Sequence, residues 1–243
     1  MNDKPTIAVL YHIFYEDSCK MVCDELKPLC FYNPVFLFNI CTETPDRAEI
    51  SRKLKECFPG CLIIGTSNMG KDIGAKLALF QLLIELEIEA EYLLLLHDKK
   101  SLQALKSRTW KNDLLHILSP ESIKKTLVLF EENKKCGIIA TKSYIIIETV
   151  ENGKFINVNG KMLEILLQKY NLKLNSFAFV AGTMFWARAK PLKDFFIDYN
   201  PLEIRSQLES GNVIDNFSGT ITHSWERILS WIISGNGYYL EGI

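Results

Sequence analysis

Three short runs carry residue types that do chemistry. The first, Asn68-Met-Gly-Lys-Asp-Ile-Gly74, joins an apolar strand predicted over 61–64 to a long apolar helix predicted over 72–89. The second, His97-Asp98-Lys99-Lys100, ends an apolar strand predicted over 92–96. The third is His223, Glu226 and Arg227, close to the end of the sequence. In an α/β sheet, ligands bind beyond the carboxyl ends of strands, where loops and helix N-termini present backbone N–H groups. Gly, Asn, Asp, His and Lys at two such ends make a site for an anion. A nucleotide or nucleotide-sugar is the guest this pattern favours.

Each run also has a purely structural reading. Gly65 to Lys71 reads G-x-x-x-x-G-K, almost a P-loop, but Asp72 stands where a Ser or Thr must ligate Mg²⁺. As plain structure it is a helix N-terminus, with Asp72 at the positive end of the macrodipole and Gly70 and Gly74 allowing close packing. Asp98 suits a divalent metal (Mg or Mn) or a sugar hydroxyl, and Lys99 and Lys100 suit a diphosphate as point charges. As plain structure these are the first solvated residues after a buried strand. On a helix predicted over 223–234, Trp225, Ile228, Leu229, Ile232 and Ile233 form an apolar stripe at helical spacing. His223, Glu226, Arg227 and Ser230 share the other face, which is either solvated or lines a cleft with Glu226 or His223 as general base. The run over 181–188 alternates as a strand, with Thr183 and Phe185 on one face and Gly182, Met184 and Trp186 on the other. Core packing accounts for most of it, though Gly182 leaves room for a close approach and an exposed aromatic edge would suit a sugar ring.

The elements that must position these residues alternate strand and helix. Strands are predicted over 6–14, 34–41, 61–64 and 92–96, with helices over 17–31, 45–58 and 72–89 between them. That alternation argues for a parallel sheet with helices on both faces. Beyond His97 come a basic loop over 99–111, a helix over 120–134, a strand over 137–141, a helix over 161–170 and a strand over 179–187. No repeat or linker divides the chain, so one domain is expected over 1–243, with a nucleotide-binding half (1–100) and an acceptor-side half (101–243). Twenty-eight basic against 29 acidic residues remove the bulk electrostatic case for nucleic-acid binding. The seven cysteines contain no Cys-x-x-Cys pair and read as reduced residues of a cytosolic protein. The N-terminus is not a secretory signal and no apolar run approaches the roughly 18 residues that span a bilayer, so membrane contact is expected to be peripheral.

Taken together, the pieces resemble the rhamnan synthesis protein F family of bacterial polysaccharide-assembly glycosyltransferases. The matching runs begin at Ile7-Ala-Val-Leu-Tyr-His-Ile-Phe-Tyr15, Asn68–Gly74 (the family has Arg where this chain has Lys71) and Leu96–Ser101. They continue at 110–115, 181–188 and 219–227. The resemblance implies a GT-A-like, Rossmann-like α/β fold and transfer of a sugar, such as rhamnose or another deoxysugar, from a dTDP- or UDP-sugar. The acceptor would be a cell-surface polysaccharide, such as that of lipopolysaccharide, or a lipid-linked oligosaccharide, met at the inner membrane. Asn68, Gly70, Lys71, Asp72, His97, Lys99, Lys100 and Arg108 are then expected to bind the donor, and Thr183, Trp186 and Arg227 the acceptor. Glu226 is the first choice of base, Asp98 the second and His223 the third. His97-Asp98-Lys99 stands where many such enzymes have a metal-binding Asp-x-Asp, which leaves a metal at Asp98 open. Two other readings stay in view: an NTPase or phosphotransferase built on the near P-loop, and a non-catalytic scaffold.

Overall fold

Apolar runs almost free of charge build the centre of the sheet. β1 (Ile7–Ile13), β2 (Val35–Cys41) and β4 (Tyr92–His97) are buried almost throughout, as parallel strands covered on both faces are. The computed structural model describes residues 6–98, 114–215 and 217–243. Its main sheet has seven strands in the order β11-β5-β10-β4-β1-β2-β3. The others are β3 (Leu62–Thr66), β5 (Cys136–Ala140), β10 (Phe185–Arg188) and β11 (Tyr239–Gly242). All pairings are parallel except those of β10, which runs against β4 and β5.

Helices close both faces, so the sheet separates two apolar cores. α1 (Cys19–Leu26), α2 (Arg47–Cys57) and α4 (Pro120–Glu132) cover one side. The other is covered by α3 (Lys71–Glu85), α5 (Gly160–Lys169), α6 (Ala189–Asp198), α7 (Pro201–Arg205) and α8 (Ile221–Gly235). The expected apolar stripe of α8, from Trp225 to Ile233, is fully buried. The chain is a single mixed α/β domain of Rossmann-like form, as expected.

The consequence for function lies in the strand order. From β1 the chain steps outward to β2 and β3, then returns to place β4 on the other side of β1. The two strands end side by side, with His12 paired to His97. The reversal leaves a crevice at their carboxyl ends.

Three local expectations are corrected. The helix expected over 17–31 is α1 flanked by 3₁₀ turns at Glu16–Ser18 and Lys27–Tyr32. Pro28 near the start of the second turn lacks the N–H that an α-helix requires there. The strand expected over 179–187 is two strands, β9 (Ala178–Val180) and β10, in different sheets. Gly182 and Thr183 between them both take positive φ, 79° and 50°, so the period-two assignment of faces fails there. Ser230, placed on the polar face of α8, is buried, and its Oγ accepts from Val180 N–H at 3.1 Å.

Candidate active site

A cleft of about 400 Å³ opens at the β1/β4 reversal. Its walls are the ends of β1 and β4 (His12, Phe14, His97, Asp98), the first turn of α3, the Gly182–Thr183 turn and the start of α8.

Lys76 organises this region from behind. It is 0% exposed, one turn into α3. Its ammonium has three N–H donors, and three acceptors surround it: Asp72 Oδ2 at 2.8 Å, His97 Nδ1 at 3.2 Å and Thr183 Oγ1 at 2.5 Å. Thr183 in turn donates to Asp72 Oδ2 at 2.6 Å. Accepting at Nδ1 places the His97 proton on Nε2. Burial pushes the Asp72 carboxyl up, but the charge of Lys76, the neighbouring His97 and the bonds from Lys76 and Thr183 hold it well below the carboxylate range. Burial pulls the Lys76 ammonium down against the pull of Asp72. We read the pair as ionised, because all three neighbours of Lys76 are placed to accept. The same bonds hold Thr183 in a left-handed conformation unusual for a β-branched residue.

The first turn of α3 faces the cleft through Lys71, Asp72 and Ile73. No side chain caps this helix end among the described residues, so the positive end of its macrodipole, with the backbone N–H groups of its first turn, lies beside the cleft that these residues line. Asp72 sits there, but Lys76 cancels its charge. The start of α8 is different. Glu209 accepts from Ile221 N–H at 2.6 Å and Thr222 N–H at 2.9 Å, and Thr220 Oγ1 accepts from His223 N–H. That helix end is filled by the chain itself.

On α8, His223 Nδ1 lies 2.7 Å from Asp215 Oδ1 and Nε2 lies 3.3 Å from Lys71 Nζ. A carboxylate only accepts, so Nδ1 carries the proton and Nε2 presents its lone pair on the cleft side. Burial pushes the Asp215 carboxyl up, but hydrogen bonds from Asn159 and Thr220 and the neighbouring His223 bring it below its usual value. Glu226 also lines the cleft. Its oxygens accept from Gly182 N–H at 2.6 Å and Arg227 Nη1 at 2.8 Å.

Several expected roles change. Trp186 is 0% exposed and donates its indole N–H to Ile117 O, so it forms core rather than an acceptor platform. Arg227 binds Glu148 and Glu226 and lies over the Phe179 ring, outside the cleft wall. Gly70 leaves room for Leu208, not for a ligand: a Cβ there would sit 2.2 Å from Leu208 Cδ1. Asn68 lines the cleft while its carbonyl holds Gly211 N–H. Asp98 accepts from Phe14 N–H and Tyr15 N–H, 2.9 Å each, and so fixes the turn after β1. These oxygens are committed to backbone donors rather than set out for a divalent ion. Among the described residues no group of three or more His, Cys, Asp or Glu is placed to hold a metal. Lys99, Lys100, Arg108 and Lys111 lie outside the described residues.

Sequence reasoning missed Lys76, Asp215 and His12. The first left a signal: Asp72 and Lys76 are four apart, and Lys76 is the one charge in an otherwise apolar helix run. Asp215 lies eight residues before His223, and no spacing rule joins them.

The architecture and cleft define a Rossmann-like α/β protein with a polar site at its strand-order reversal. The model of the rhamnan synthesis protein F family matches residues 1–238, nearly the whole sequence, and the chain belongs to that family. Membership implies a part in rhamnan polysaccharide synthesis, in keeping with glycosyl transfer. No curated protein matches the chain.

Two outcomes are expected. Lys76→Met leaves the Asp72 charge uncompensated and should cost about 3–5 kcal/mol in denaturant unfolding. Adding Asp72→Asn should recover part of that loss, whereas simple additivity would contradict the pair. The second concerns His12, whose Nδ1 is 3.0 Å from Asn39 Oδ1. Burial holds its imidazole down at about 4 against an ordinary 6.5, despite the upward pull of Asp72. The unfolded chain therefore takes the proton first. Stability is intact above pH 6.5 and falls as the pH drops towards 4, by roughly 3 kcal/mol from this residue. His12→Gln should flatten that limb, and an unchanged pH profile would contradict it.

Proposed function

We propose that the chain is a GT-A-like glycosyltransferase that moves a sugar, rhamnose or another deoxysugar, from a dTDP- or UDP-sugar to a polysaccharide or lipid-linked oligosaccharide. The observation that carries this reading is the uncapped start of α3 at the cleft, beside Lys71 and with the Asp72 charge cancelled. A helix start of this kind suits a diphosphate. Lys99 and Lys100, which follow Asp98 in sequence, and Arg108 are proposed to add positive charge as the diphosphate departs. The near P-loop supports hydrolysis of a nucleoside triphosphate less well. Its Gly70 N–H already donates to Glu209 O at 2.7 Å rather than forming a phosphate cradle. No helix among the described residues is long and apolar enough to cross a membrane. Action in the cytoplasm at the inner membrane surface is part of the proposal.

His223 now leads as base, ahead of Glu226 and Asp98, because Asp215 orients it and stabilises the imidazolium that forms. Lys71 turns from His223 to the donor diphosphate, which frees Nε2 for the acceptor hydroxyl. The acceptor oxygen bonds to the anomeric carbon, its proton passes to Nε2, and the bond from that carbon to the diphosphate oxygen breaks. The nucleoside diphosphate leaves with the electron pair.

Turnover tests this ranking with a deoxysugar nucleotide and a rhamnan oligosaccharide. His223→Asn should lower kcat by about 10²- to 10⁴-fold with donor affinity kept. Asp215→Asn should lower kcat less, and Glu226→Gln only slightly. A severe loss in Glu226→Gln with a mild one in His223→Asn would return the base to Glu226. Absence of nucleotide binding in the unaltered protein would favour a non-catalytic scaffold.

A further inference from the structure

β1 carries one imidazole, His12, which is 5% exposed and forms part of the cleft wall. A row of polar side chains on three adjacent strands fixes its tautomer. His12 stands opposite Asn39 of β2 in the strand register. Asn39 Nδ2 donates to Thr66 Oγ1 of β3 at 2.9 Å, which leaves Asn39 Oδ1 to face His12 Nδ1 at 3.0 Å. An amide oxygen only accepts, so Nδ1 carries the proton and Nε2 of the neutral ring is a bare lone pair. Burial holds this imidazole down at about 4, which keeps the ring neutral at ordinary pH. Nε2 makes no hydrogen bond among the described residues. Unlike Tyr11 Oη of the same strand, it is not sealed from solvent. An acceptor left unmatched at that depth costs stability unless something in the cleft fills it.

We propose, resting on the donor reading of the cleft, that His12 Nε2 accepts a hydrogen bond from a ring hydroxyl of the bound nucleotide-sugar. The hydroxyl belongs to the ribose or to the transferred sugar. A bare nitrogen pairs only with a group that brings a proton. Diphosphate oxygens bring none once ionised, so the end of β1 turns them away towards the start of α3. The two positions thereby sort a nucleotide-sugar by its chemistry, anion against the helix start and hydroxyl against His12. The Thr66–Asn39–His12 row sets the tautomer before the ligand arrives, so no part of the site must reorganise to read the hydroxyl.

The test is nitrogen NMR of the histidine-labelled protein, with the ring signals assigned through the His12 backbone. The free protein should show His12 protonated at Nδ1 and bare at Nε2. UDP-rhamnose should move the Nε2 signal upfield as the lone pair takes a hydrogen bond, and pyrophosphate, which has no ring hydroxyl, should leave it in place. A shift that UDP alone produces and 2′,3′-dideoxyuridine diphosphate does not assigns the ribose. A shift that needs the attached rhamnose assigns the sugar. His12→Phe should weaken UDP-rhamnose binding about 10- to 100-fold, since the ligand hydroxyl is left without a partner. The spectra of the unaltered protein decide the matter even if that variant folds poorly. A proton on Nε2 in the free protein, UDP-rhamnose bound with the signal unmoved, or a shift that survives in the dideoxynucleotide would overturn the proposal alone. Binding of neither pyrophosphate nor UDP-rhamnose would overturn the donor reading and the proposal together.

Discussion

A buried ammonium with all three of its donors satisfied is the interaction on which the rest of the site depends. Lys76 joins the first turn of α3 through Asp72, the end of β4 through His97 and the β9–β10 turn through Thr183. An unpaired charge at that depth would cost several kcal/mol, so the three elements must arrive in register before the ion can be buried. The clamp thereby sets the cleft walls. It also neutralises Asp72 at a helix start where a free carboxylate would repel an anion.

Two helices among the described residues begin at the cleft, and their first turns have opposite fates. Glu209 and Thr220 satisfy the start of α8, which spends that helix's positive end on the chain itself. The start of α3 has no side-chain cap among the described residues, lines the cleft and has Lys71 in its first turn. This asymmetry is what favours the start of α3 as the proposed anion position. It also assigns α8 another task, that of presenting His223 and Glu226 opposite the proposed diphosphate position. The strand-order reversal brings the two helices to one crevice, and neither strand pair alone would do so.

Much of the fold was legible because its signals are local. Uncharged runs such as Leu93–Leu96 have few ways to fold except as covered strands, and the α8 stripe follows directly from spacing. The hairpin between β7 (Val150–Glu151) and β8 (Lys154–Phe155) has an equally local signal. Asn152-Gly153 takes the two positive φ values that its tight turn needs. The break at Gly182–Thr183 was not readable. Thr183 opposes its own preference there, and Lys76 and Asp72, more than a hundred residues away, hold its side chain. In the site, sequence located the loops and the polar face of α8 but not the partners. Asp98 looked like a ligand and is a backbone anchor; Trp186 looked like a platform and is core. Partnership is a matter of distance in space, and His223 acquires its meaning only from Asp215 and Lys71.

The central claim is that the start of α3 receives the donor diphosphate. A crystal structure of the protein with a deoxysugar nucleotide tests it most directly. The account predicts phosphate oxygens within about 3.2 Å of the backbone nitrogens of residues 71–73, with Lys71 Nζ moved from His223 to the diphosphate. Density for the nucleotide elsewhere, with Lys71 still on His223, would contradict it.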